Sequence, residues 1–164
     1  MALTKINNNT LSAITGLPAG VGGKVLQVVT GTTSTKVESS SSTYVDTGLS
    51  VTITPSSASN KILIVCTQAE CFKSNQNSSN GIDIRLLRDA TEILDVVDRG
   101  LLTSTSIELI SNISFNHLDS PSTTSAITYK TQFHNFTSVL RVAVQQQNGR
   151  GVSTITAMEI AGWL

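Results

Sequence analysis

The two histidines are the first residues to weigh for chemistry. His117 stands two residues ahead of Asp119, and His134 sits in Phe133-His134-Asn135-Phe136. Hydrolysis needs a nucleophile held beside a base, and serine is so common here that a Ser near either ring signals nothing. No Gly-x-Ser-x-Gly elbow and no Gly-rich phosphate loop occurs, so no catalytic residue is assigned. His117 and Asp119 share strand parity and form the nearest thing to a metal site, completed only where copies converge on a symmetry axis.

Glu92, Asp95 and Asp98 fall in one segment, with Asp83 and Asp89 nearby. Paired carboxylates suit glycoside hydrolysis, but on a regular strand Glu92 and Asp98 share a face that Asp95 does not. A solvated sheet edge, where charge blocks unwanted strand pairing, accounts for them. Cys66 and Cys71 read as buried free thiols, since Cys-x4-Cys lacks the second pair a zinc site needs. No cofactor is called for.

Recognition chemistry is better served by the loops. Residues 74 to 80 are Ser, Asn and Gln throughout, an exposed loop offering donors and acceptors without charge. Asn75, Gln76, Asn77 and Asn80 there, with Asn148 and Arg150 at a Gly-rich turn, are the candidate binding residues. Sugar hydroxyls or a polar protein surface would suit them.

What must position these groups is set by composition. The 164 residues are 39% hydrophobic but only 13% charged, with 11 basic and 11 acidic side chains giving zero net charge. Polarity comes from hydroxyls and amides, which do not repel sister copies. A neutral chain lacks the basic face that nucleic acid requires, and Arg85 and Arg88 are an isolated pair. The longest apolar run, Ile62 to Cys66, is far short of the roughly 20 residues of a membrane span. The N-terminus has no apolar core of signal-peptide length, which points to synthesis in a cytoplasm.

Residues 1–22 read as an extended or partly helical arm. Asn7-Asn8-Asn9 and Leu17-Pro18-Ala19-Gly20 break regular structure, and Leu3, Ile6, Leu11 and Ile14 need a neighbouring chain to cover them. Residues 23–164 read as one domain. From Lys24 onward the period is two. Strands are expected around Val25 to Val29, Thr33 to Glu38, Tyr44 to Thr47 and Leu49 to Thr54, the last with Leu49, Val51 and Ile53 inward. Lys61 to Glu70 opens on a continuous apolar run, the mark of a central strand covered on both faces.

Ile82 to Arg88 and Thr91 to Val97 should form a hairpin across Asp89-Ala90. Thr105 to His117 keeps its phase from end to end and needs no bulge. Ser125 to Phe133 puts Ile127, Tyr129, Thr131 and Phe133 on one side. Val139 to Gln147 and Ser153 to Ile160 should pair as a hairpin through Asn148-Gly149, residues that tolerate positive φ. About nine to eleven short strands make an all-β, two-sheet, jelly-roll-like β-sandwich with an N-terminal arm.

Several stretches resemble short tail-fibre and virion-structural proteins of marine tailed bacteriophages, cyanophages above all. They are ALTKINNNTLSAITGLPAG, GKVLQVV, YVDTGLSVTITPSS, KILI, LDSPSTTSAITYKTQF and STITAMEIAG. The resemblance implies a homotrimeric virion protein made in the bacterial host cytoplasm, attached to other virion proteins through Leu3, Ile6, Leu11 and Ile14 of the arm. A tail fibre or fibre tip displaying its sandwich toward a host glycan or protein is the leading expectation. A capsid decoration or cement protein is the alternative, and a carbohydrate-binding module or glycan hydrolase comes third.

Overall fold

A computed structural model describes residues 25–74, 78–137 and 140–161. The expected N-terminal arm lies outside the described residues. Ten strands are present among those described: β1 (Val25–Thr33), β2 (Val37–Ser39), β3 (Val45–Ile53), β4 (Lys61–Lys73), β5 (Ile82–Arg88), β6 (Thr91–Gly100), β7 (Leu109–Asp119), β8 (Ile127–Asn135), β9 (Val142–Val144) and β10 (Ser153–Ile160). They form the expected all-β, jelly-roll-like sandwich. Sheet A has the order β1-β10-β4-β9-β2, with β7 also on β4, and sheet B has the order β3-β8-β5-β6.

Period-two alternation decides which face each strand buries. In β3 Leu49, Val51 and Ile53 point inward, and in β8 Ile127, Tyr129 and Phe133 do the same. They meet Ile62, Ile64 and Cys66 of β4 and Ile155 and Ala157 of β10. Beyond them Cys71, Ile82, Ile84, Phe133, Val142 and Val144 form a second apolar cluster. Each large aliphatic side chain so buried contributes about 1.5–3 kcal/mol.

A polar layer separates the two clusters. Thr131 lies between Tyr129 and Phe133 on β8, and Gln68 lies between Cys66 and Cys71 on β4. The Thr131 hydroxyl meets Thr47 at 2.6 Å and Gln68 Oε1 at 3.0 Å, while Gln68 Nε2 reaches Ser153 Oγ at 2.9 Å. These groups are fully buried yet bonded to one another across both sheets, which removes the cost of burying them alone.

Three expectations need correction. The first concerns β4, which is central in its sheet but alternates, with Val65 43% exposed opposite the buried Ile64 and Cys66. Its apolar run is covered on one face only. The second is the hairpin at Asn148-Gly149. Both residues do have positive φ, 26° and 89°. Yet β9 pairs with β2 and β4, and β10 pairs with β1 and β4.

Since β7 holds one edge of β4 from Ile62 to Lys73, β9 and β10 follow one another along the other edge. The turn is an excursion within one interrupted strand. It docks on the break between β1 and β2, where Asn148 Oδ1 accepts from the Lys36 amide and the Gly149 amide donates to Ser34 O.

The third correction is in β6. It spends ten residues opposite seven of β5, and all three register shifts add a residue to β6. Each bulge reverses the parity, so Glu92 and Asp95 stand opposite Leu87 and Arg85, on one face. The expected phase, with Asp95 apart, does not survive. In β7 the expectation of no bulge holds, because the extra residue beside it belongs to β4, where Glu70 sits at φ 48°. That strand begins at Leu109 rather than Thr105.

Candidate functional site

Pairing registers place side chains in rows across each sheet, and the two outer faces differ in chemistry. On sheet B one row runs Asp46, Gln132, Arg85, Asp95, and the next Ser50, Lys130, Leu87, Glu92. Asp46 accepts from Lys130 at 3.0 Å and from Gln132 at 2.6 Å. Arg85 donates to Gln132 and Glu92 and lies 3.8 Å over the Tyr44 ring. The Asp46 carboxyl is pushed up by burial, but the bonds from Gln132 and Lys130 outweigh this and hold it low. The face is charged, with Asp46 paired to Lys130 and Arg85 to Glu92 across strands.

A third row on that face holds His134 opposite Asp83. His134 Nε2 lies 3.1 Å from the Asp83 carboxylate, and Nδ1 is 2.8 Å from the Asn135 carbonyl, which only accepts. Burial pushes the Asp83 carboxyl up. Both ring nitrogens face these partners. A cleft of about 160 Å³ opens beside Gly48, lined by Asp46, Ser50, Thr128 and Lys130. That is well below the roughly 300 Å³ where ligand pockets begin, and its carboxylate is already bonded.

The outer face of sheet A is the opposite. Across β1, β10, β4 and β7 one row reads Val28, Met158, Leu63, Leu118. The next reads Thr30, Thr156, Val65, Asn116, and the third Thr32, Thr154, Thr67, Ser114. No side chain in these twelve positions is ionisable. Val28 and Leu118 are more than half exposed. The hydroxyls bond within the face, Thr30 to Thr156 at 3.1 Å and Thr67 to Ser114 at 2.9 Å. Beyond the β4 bulge the Arg141 guanidinium covers Phe72 at 4.4 Å. The alternating Thr and aliphatic residues of Val25 to Thr33 and Ser153 to Ile160 signal apolar and Thr-rich strand faces, and the tertiary structure lines them up across four strands.

The candidate site residues are scattered. Asn75, Gln76 and Asn77 lie outside the described residues, as do Leu3, Ile6, Leu11 and Ile14. Asn80 is not exposed but fully buried, because its amide ties Ser74, the Arg141 carbonyl and Asn135 together. Asn148 and Arg150 are exposed as expected, on the excursion between β9 and β10. His117 and Asp119 do share the inward side of β7. Asp119, however, accepts from Arg88 and from Tyr129 Oη, so its carboxylate is taken by an inter-sheet tie. Among the described residues no group of three or more His, Cys, Asp or Glu side chains converges on one point.

No family model matches the chain, and no curated protein does. Solved structures of infectious bursal disease virus VP2 match it. The VP2 subviral particle matches with a TM-score of 0.47 and 14% identity, over 83% of this chain and 38% of that one. Derived T=1 particles give 0.44 and 16%, over 83% and 36%, and the Gt strain gives 0.45 and 14%, over 82% and 36%. This chain therefore spans less than two fifths of those it matches. The likeness assigns no residue a role.

These neighbours overturn the phage tail-fibre resemblance, and with it the bacteriophage and bacterial-host expectations, since they come from a virus of another kind. The physical reason is visible in the fold. Of the quoted stretches, Val25 to Val29, Lys61 to Ile64 and Ser153 to Ile160 lie in β1, β4 and β10, three neighbouring strands. β-branched and other aliphatic residues are favoured in any such sheet, whatever its ancestry.

Proposed function

We propose that the chain is a structural subunit of a virus particle, of the shell or shell-decorating kind, working as one of many copies. The setting follows the particle proteins named above and is part of the proposal. The observation that carries it is an uncharged patch on the outer face of sheet A, twelve positions over four strands without an ionisable group, bounded by Lys61 at one end and by Glu38 and Arg141 at the other. Single exposed aliphatics are ordinary, but a contiguous row of Val28, Met158, Leu63 and Leu118 beside a hydroxyl ladder suits burial against a neighbour. The charged face of sheet B is suited to water. Zero net charge removes long-range repulsion between copies.

The test is association as a function of concentration. Wild-type protein should sediment as oligomers that Leu63→Lys shifts to smaller species, with the unfolding midpoint nearly unchanged because Leu63 points outward. A wild-type chain that stays monomeric at the highest concentration reached would remove the reading.

A further inference from the structure

We propose that β7 is a self-pairing edge, at which two copies join their A sheets across a two-fold axis through Ser114. The inference deepens the reading of the chain as one of many copies by naming the partner of one edge, and it rests on observations separate from the outer face.

Sheet edges expose unpaired backbone donors and acceptors, and soluble proteins blunt them with bulges, charge or shortness. Among the described residues four of the five edges are blunted. β6 carries three bulges together with Glu92, Asp95 and Asp98. β3 is interrupted between Asp46 and Ser50 by Gly48 at φ 81°. β2 is three residues long and flanked by the Lys36–Glu38 ion pair. β1 shifts register between Val25 and Gln27.

The fifth edge is neither short nor bulged, and its one acidic side chain, Asp119, stands at its last residue, turned inward and bonded to Arg88. Among the described residues β7 pairs with β4 alone, and it runs eleven residues without Pro, Lys, Arg or a bulge of its own. Its inward side is also incompletely covered. Ile113, Phe115 and His117 are only half-buried, whereas Ile62, Ile64 and Cys66 on β4 are at most 1% exposed. A strand laid beside β7 would supply the missing neighbours.

The sequence of β7 says which strand. Its outward residues are Ile110, Asn112, Ser114, Asn116 and Leu118, which read the same in either direction by chemical type. Antiparallel pairing about Ser114 sets Ile110 against Leu118 of the second copy, Asn112 against Asn116, and Ser114 against itself. On the inward side Ile113 then faces Phe115. A slip of two residues sets Ile110 against Asn116 and Asn112 against Ser114, and loses the match. An isologous contact requires such self-complementarity, because each residue meets its counterpart twice. Eleven residues at about 3.4 Å each give a seam about 37 Å long but only one strand wide. That is a modest contact, suited to one of several in an assembly.

Cysteine cross-linking tests the register directly. Directly opposed residues in an antiparallel pair lie about 4.5–5.5 Å apart at Cα, within disulfide range. Native Cys66 and Cys71 are buried and should not compete. Under mild oxidation S114C should form covalent dimers. N112C and N116C should form few alone but cross-link efficiently when mixed. As a second measure, N112K/N116K should weaken association about tenfold or more through facing like charges, while N112K/N116E should retain it.

Equal cross-linking by all three single variants, or none by S114C, overturns the pairing. So does S114C that remains monomeric yet shielded from thiol reagents, since residues 1–24 or another segment of the same chain would then cover the edge. S114C cross-linking that survives Leu63→Lys, in a protein whose association Leu63→Lys leaves unchanged, would keep this inference while removing the outer-face reading.

Discussion

Tyr129 on sheet B donates its phenolic hydrogen to the Asp119 carboxylate on sheet A at 2.6 Å, tying the two layers at the rim of the core. Arg88 completes the tie with bonds of 2.9 Å to both carboxylate oxygens. Asp119 is only 7% exposed, so the lost bond would not be replaced freely by water. Tyr129→Phe keeps the ring and removes the hydroxyl, and should cost about 1–3 kcal/mol. A urea midpoint lowered at unchanged slope is the expected result, and an unchanged midpoint would refute the role assigned to the tie.

Glu159 is the acid-sensitive group. It is 1% exposed, and burial alone would push its carboxyl up. Hydrogen bonds from Asn60, Gln27 and Ser56 overcome that and hold it at about 2, below its ordinary 4.5. A lowered folded-state value means the stabilisation is complete above about pH 4.5 and disappears as pH falls toward 2. The contribution is roughly 3 kcal/mol. Glu159→Gln should be less stable at neutral pH and flatter through that acid window in denaturant titrations.

Two glycines should respond differently to alanine. A Cβ at Gly31 would land on the Ser50 carbonyl oxygen, where β1 passes close to β3. Backbone cannot yield as a side chain can, so Gly31→Ala should cost about 2–3 kcal/mol. At Gly149 nothing lies within 4 Å of a Cβ, and only the φ of 89° resists substitution. Gly149→Ala should cost about 1–2 kcal/mol from that conformation alone. Thermal unfolding of the two variants side by side gives the order, and a reversed order would contradict the close approach.

Both thiols should be silent in the folded protein. Burial pushes Cys66 and Cys71 to about 12, which leaves almost no thiolate at neutral pH. A thiol reagent should find none in native buffer and two in strong denaturant. Fast labelling of either cysteine without unfolding would show the inner face of β4 to be open.

In the strands without bulges the sequence by itself determined which way side chains point, and little about what they point toward beyond their own strand. Alternation is a local property of a pleated chain, so Leu49, Val51, Ile53, Ile127, Tyr129 and Phe133 announced their inward face. So did the β5–β6 hairpin, whose two strands are joined by a short turn, and the positive φ at Asn148-Gly149.

Tertiary structure alone decided the partners. One β edge offers the same donors and acceptors as another, so nothing in Val142 to Val144 says that β4 and β2 will take it rather than β10. Bulges add a residue without any side-chain mark, and in β6 three of them reversed the faces of its carboxylates. Asn80 was buried by groups 55 and 61 residues away, at Asn135 and Arg141. The division between a charged outer face and an uncharged one likewise exists only once distant strands lie side by side, because a row across a sheet is no stretch of the chain.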